Sequence, residues 1–182
     1  MGHQTPSKNT GFTLVELLIT LAILALVSAF AIPKYSDMVI RNRIAGATNE
    51  LVGLIHMARS EAISTHARVV VCPTSNGTGC GSGDWARVLV FVDRDRNGSV
   101  SSGDEIKREM NVRTPDLKMT AGTSGANIIF SPDGLSPSGL ATSTNNFITV
   151  CSTSYPEKSR RIRVGVSASS TGSLATSSTR CQ

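Results

Sequence analysis

The run G-F-T-L-V-E-L-L-I-T-L-A-I-L-A-L-V-S-A-F-A-I-P-K-Y, from Gly11 to Tyr35, decides how the rest of the chain is read. Between Phe12 and Ile32 the only polar residues are Thr13, Glu16, Thr20 and Ser28. Coiled into one helix, about 21 residues reach across the roughly 30 Å hydrocarbon core of a bilayer. Pro33 closes the apolar run. Glu16 is the residue that does not fit, because an unpaired carboxylate in lipid costs several kcal/mol. It stands near the start of the span, so its side chain can reach the interface. The sharper reading is that Glu16 waits for a partner charge. Residues 1–10 contain no apolar core and no A-x-A site, unlike an ordinary secretory signal peptide. Lys8 precedes the span while Lys34, Arg41 and Arg43 follow it, so charge alone sets no orientation.

Beyond Pro33 the helical pattern continues to about residue 66. Ile44, Ala47, Leu51, Leu54, Ala58 and Ala62 recur at three- and four-residue steps and form one apolar stripe. A single helix of about 80 Å is expected, half apolar all round and half amphipathic. The stripe needs a cover, and the remaining chain supplies β-type runs. These are Arg68–Cys72, Val88–Val92, Ile106–Met110, Ile128–Phe130, Phe147–Cys151 and Ile162–Val166. P-D-G at Pro132–Gly134 marks a turn. Short runs joined by Gly- and Ser-containing loops predict an antiparallel sheet, so the fold class is α+β. The tail from Ser167 to Thr179 is Ser, Thr, Gly and Ala apart from Leu174, and its composition predicts disorder unless Cys181 ties it down.

With these residues in view a resemblance becomes specific. G-F-T-L-V-E between a short polar leader and an apolar helix resembles the type III signal of type IV pilins and type II secretion pseudopilins. The resemblance implies cleavage by a prepilin peptidase after Gly11, N-methylation of the new terminal Phe12, and an assembly role for Glu16. Further along come A-R-S-E-A at Ala58–Ala62, V-V-V-C-P, D-W-x-x-V-L-V-F-V-D-x-D-x-N-G, and then F-S-P-D-G. This order is similar to the GspH/FimT group of minor pilins and pseudopilins. The group implies a long N-terminal helix packed on an antiparallel sheet, which is the fold read above from periodicity. It divides the chain into a leader at 1–11, a membrane and assembly helix at 12–33, and a periplasmic domain at 34–182. It also implies a single-pass inner-membrane protein that later enters a surface fibre, with major and minor pilins as partners.

Composition narrows the function classes. The chain has 182 residues and a net charge of +5, a weak pointer to anionic partners. Aromatics are 4% of the chain, too few for a base-stacking platform. The four cysteines, Cys72, Cys80, Cys151 and Cys181, follow an export signal and are not spaced as metal ligands, so disulfides are expected. Of the three pairings that four cysteines allow, we expect Cys72–Cys80, closing a short Gly-Ser-Thr loop, and Cys151–Cys181, pinning the tail. No nucleophile sits in a G-x-S-x-G elbow and no glycine loop cradles phosphate, so no enzyme activity is expected.

Two clusters remain. Asp93, Asp95, Asn97, Gly98 and Asp104 follow D-x-D-x-N-G-x5-D, close to the loop that wraps calcium in an EF-hand. Its flanks read as strands, and the plainer expectation is a hairpin turned by Asn97-Gly98 with no cofactor. Arg160, Arg161 and Arg163 form the second cluster. On a strand, Arg161 and Arg163 share a face about 6.6 Å apart, with Ile162, Val164 and Val166 toward the core. Two guanidiniums so placed can grip successive phosphates, extended by Lys158 and Arg180. A solvated strand face is the plainer expectation. DNA-binding FimT-type proteins carry a C-terminal G-R-x-R motif, and the matching place here is Gly172-Ser173-Leu174-Ala175, without either arginine. The resemblance implies a structural minor pilin, expected near a fibre tip and helping to initiate assembly. A type II secretion pseudopilin and a DNA receptor for transformation are the alternatives.

Overall fold

The computed structural model describes residues 11–81, 83–112, 114–123, 125–167 and 171–174. The chain divides into two units, residues 1–39 and 40–182, and helix α1 (Leu14–Thr65) contributes to both. The polar leader at 1–10 lies outside the described residues.

In the first unit α1 opens on a cap. Thr13 Oγ1 accepts the backbone N–H of Glu16 at 3.3 Å, and Thr13 O accepts the N–H of Leu17 at 3.2 Å. T-L-V-E is thus a capping sequence with its glutamate at the third helical position, where a negative charge also favours the positive end of the helix dipole. That local role of Thr13 and Glu16 was legible in the sequence and was not drawn from it. The side chains of Leu14, Val15, Leu17, Leu18, Ile19, Leu21, Ile23, Leu24, Leu26, Val27 and Phe30 are all exposed. Thr20 and Ser28 donate their hydroxyls to Leu17 O and Leu24 O, at 2.8 and 2.7 Å. The hydroxyls thereby satisfy themselves within the helix, which removes most of their cost in an apolar environment.

In the second unit the amphipathic stripe is buried, and it is wider than the periodicity suggested. Ile40, Thr48 and Ile55 join Ile44, Ala47, Leu51, Leu54, Ala58 and Ala62. Thr48 is tolerated there because its hydroxyl bonds Ile44 O at 2.6 Å. The helix ends at Thr65, with His66 in the left-handed region at φ 52°.

Among the described residues nine strands follow: β1 (Arg68–Pro73), β2 (Arg87–Asp93), β3 (Glu105–Asn111), β4 (Leu117–Ala121), β5 (Ile128–Phe130), β6 (Ser138–Gly139), β7 (Phe147–Ser152), β8 (Ser159–Arg163) and β9 (Thr171–Leu174). They form two antiparallel sheets, ordered β3-β2-β1-β5-β6 and β4-β7-β8-β9. The core joins both sheets to the helix stripe: Val69, Val71, Val88 and Val90 from the first, Met119, Ile148, Val150 and Ile162 from the second. The opposite faces of β1 and β2 bury Val70, Cys72, Leu89 and Phe91, with Cys80, Val100 and Ile129 packed on them. Burial on both faces is why these two strands read as unbroken apolar runs rather than as alternating ones. β3 is an edge strand, and its charged E-I-K-R-E-M sequence discourages edge-to-edge pairing.

Three expectations are corrected. Two sheets replace one: L-K-M-T-A at β4, outside the expected runs, is an edge strand of the second sheet and pairs with β7. Residues 171–174 of the tail are not disordered. They pair with β8 from Arg160↔Leu174 to Arg163↔Thr171, and a backbone ladder needs no apolar side chains. Finally, β8 starts earlier than expected and ends at Arg163, which leaves Val166 in a turn and exposed.

Two connections fix the architecture. A disulfide joins Cys72 to Cys80 with Cα atoms 5.5 Å apart, as expected. Cys181 lies outside the described residues, and the expected Cys151–Cys181 pairing with it. Between the sheets, Trp85 N–H donates to Met119 O at 2.8 Å, and Asp84 Oδ1 accepts the N–H of Met119 at 2.8 Å and of Ala86 at 3.0 Å.

Candidate functional site

The N-terminal segment carries Gly11, Phe12 and Glu16, the residues expected to serve processing and assembly. Gly11 and Phe12 precede the helix and are exposed, Phe12 at 81%. Nothing stands within 4 Å of a side chain placed at Gly11, so local packing does not require glycine there. Glu16 is exposed on the first turn among apolar neighbours. A helix apolar on every side is built for lipid or for burial among other helices. Within this segment the molecule offers a large apolar surface, one carboxylate, and an accessible peptide bond before Phe12.

The acidic cluster is brought together. Asp93, Asp95 and Asp104 each present an oxygen, all within 4.8 Å of one another. The connection carrying them is residues 94–104, longer than a two-residue Asn-Gly turn, with Arg96 at φ 61° and Gly98 at φ 76°. Asp93 ends β2 and is buried; its Oδ2 accepts the Gly98 N–H at 3.0 Å and lies 3.1 Å from Arg68 Nε. Burial pushes its carboxyl above the usual carboxylate range, and the neighbouring Asp95 and Asp104 push the same way against Gly98 and Arg68. Burial also pushes Asp104 upward, but the N–H groups of Arg94 and Ser101 and the Ser101 hydroxyl outweigh it and hold Asp104 below its usual value. Asn97 Oδ1 accepts the Ser99 N–H at 2.6 Å.

The arginine cluster is split by the pleat. Arg161 and Arg163 lie on one face of β8, with Ile162 buried on the other, as expected. The Arg161 guanidinium stacks on the Phe147 ring, 4.1 Å from its centre. Phe147 pairs with Arg163 across the β7–β8 ladder, so a stacked cation and a neighbouring one share this face. Arg160 belongs to the opposite side. With Arg41, Ile44, Glu157 and Lys158 it lines a cleft of about 420 Å³ beside the helix. Arg180 lies outside the described residues.

The type II transport protein GspH family matches residues 47–170, from the amphipathic helix past β8. The chain belongs to the GspH family. A second match, the prokaryotic N-terminal methylation motif, covers residues 6–32. The solved structure of the type IV minor pilin FimU of Pseudomonas aeruginosa superposes with a TM-score of 0.52 at 19% identity, over 78% of this chain and 95% of that one. That likeness establishes the pilin fold: a long N-terminal helix packed on antiparallel sheet. A fimbrial protein of Pseudomonas aeruginosa is 37% identical over 68 residues, covering 37% of this chain and 44% of that protein. The type IV major fimbrial protein FimA of Dichelobacter nodosus is 44% identical over 48 residues, 26% of this chain and 30% of that protein. The GspH-family chain thus spans less than half the length of these curated relatives. Its family and fold are those of pilin structural proteins.

Proposed function

We propose that this GspH-family chain is a minor pilin, a structural subunit of a type IV pilus fibre that sits at or near the tip and helps initiate assembly. The observation that carries the reading is the N-terminal segment. An exposed all-apolar helix with one carboxylate, lying inside a methylation motif, is suited first to the inner membrane and then to the core of a helical fibre. In this reading prepilin peptidase cuts after Gly11, Phe12 is methylated, the domain from residue 34 onward faces the periplasm, and other pilins are the partners. The alternative is a type II secretion pseudopilin. Deleting the gene separates the two. We expect loss of surface fibres, measured by shearing and immunoblotting the major pilin, with secretion of exoproteins unchanged. Intact fibres with blocked secretion would assign the chain to the secretion apparatus.

A second reading, DNA capture, rests on the paired Arg161 and Arg163 face. We expect a mobility-shift assay on the full chain in detergent to give weak binding without sequence preference, falling steeply as salt is raised from about 50 to 200 mM. Submicromolar affinity at physiological salt, lost in Arg161→Ala with Arg163→Ala, would make that face a DNA receptor.

A further inference from the structure

We propose that the β2–β3 connection is a calcium site, with Asp93, Asp95 and Asp104 as its carboxylate ligands. The argument starts from Asp93. Its side chain is wholly inaccessible to solvent, and while Oδ2 is occupied by Gly98 and Arg68, Oδ1 has no hydrogen-bond partner. A buried carboxylate oxygen without a partner is costly, and native structures leave few of them. Asp93, Asp95 and Asp104 each bring a carboxylate oxygen to within 4.8 Å of the others, while Asp95 and Asp104 also accept from Arg94, Asn97 and Ser101. Oxygens bound to calcium at 2.3–2.6 Å can stand up to about 5 Å apart across the ion, so this spacing fits one shell. Three carboxylates against the guanidiniums of Arg68 and Arg94 leave an excess of about one negative charge, which a divalent ion more than neutralises.

Calcium is favoured over magnesium by the ligand set. Magnesium holds most of its waters and takes one or two carboxylates, whereas calcium accepts an irregular all-oxygen cage. Asp95 and Asp104 are accessible from solvent, which leaves a path of entry and room for completing waters. The consequence for the fold runs through Val100. It is carried by the same connection and packs on the outer cluster of Val70, Leu89 and Phe91. An ion between β2 and the turn would fasten that cover, as the Cys72–Cys80 disulfide fastens the neighbouring loop.

The test uses the full chain in detergent micelles, stripped with EGTA. Calorimetric titration with CaCl2 should show one site, and 10 mM CaCl2 should raise the melting temperature by about 5 °C if the affinity falls in the range of extracellular calcium modules. Asp95→Asn alters an exposed ligand, so it should melt like the wild type in EGTA yet bind calcium about tenfold more weakly or worse. Absence of both heat and thermal shift in the wild type overturns the proposal. So does an equal shift in Asp95→Asn, and an equal shift with MgCl2 overturns the choice of ion.

Discussion

Replacing Gly11 with valine is expected to leave the whole chain as uncut precursor in the inner membrane and none of it in sheared fibres. A side chain at this position meets nothing within 4 Å, so the substitution is expected to leave folding undisturbed and to act on the cleavage step. In the proposed reading cleavage matters because it creates a charge. Cutting before Phe12 leaves a protonated amine at the head of a helix that is otherwise apolar. In lipid or in a fibre core that amine and the Glu16 carboxylate are each expensive while unpaired. Placed beside Glu16 of a neighbouring subunit, the amine satisfies both at low effective dielectric. In the proposed reading this pairing sets axial register, which packing of leucine-rich helices leaves free to slide. Glu16→Ala should therefore be cleaved normally and yet enter fibres in strongly reduced amount. The capping bond at this turn runs from the Glu16 backbone N–H to Thr13, so the helix start survives the loss of the carboxylate. Immunoblots of membrane and sheared-fibre fractions separate the two defects. Normal amounts of Glu16→Ala in the fibre fraction would refute the pairing role, and cleaved Gly11→Val would refute the cleavage site.

The parts legible in the sequence are those governed by short-range periodicity. Ile44, Ala47, Leu51, Leu54, Ala58 and Ala62 announced the buried face of α1 because a helix repeats every 3.6 residues and one side must be covered. β1 and β2 announced themselves as unbroken apolar runs, and residues 128–130 were matched without error. What escaped was held by long-range backbone pairing. β9 is T-G-S-L, with nothing in its composition to favour a strand, and it exists because the free edge of β8 offers it a ladder. β4 is set by β7 on one side and by Trp85 and Asp84 at its middle, residues more than thirty positions away. The metal-like spacing of Asp93, Asp95 and Asp104 was visible as a motif, but the buried oxygen that gives it chemical weight depends on where β2 ends in three dimensions.

Trp85→Ala is expected to lower the melting temperature by about 10 °C or more. The indole is 1% exposed and belongs to the main core, beside residues of both sheets and the helix. Truncating a buried tryptophan to alanine costs about 3–5 kcal/mol, through lost transfer energy and the cavity left behind. At about 2–4 °C per kcal/mol for a chain of this size, that sum is a large part of the roughly 5–15 kcal/mol margin of an ordinary domain. The position has a second duty, since its backbone N–H and the Asp84 carboxylate hold Met119 of the second sheet against the entry to β2 of the first. Alanine keeps the backbone bond but removes the side chain that fixes its approach. Asp84→Ala should cost less, about 1–3 kcal/mol, because it strips acceptors from the N–H groups of Met119 and Ala86 while leaving the core filled. Ile106→Ala, at a half-exposed position on the edge strand β3, serves as the control and should change little. Thermal melts of the full chain in detergent, followed by near-ultraviolet circular dichroism or limited proteolysis, measure all three. A Trp85→Ala protein that melts within about 2 °C of wild type would show that the two sheets are joined by the helix stripe alone.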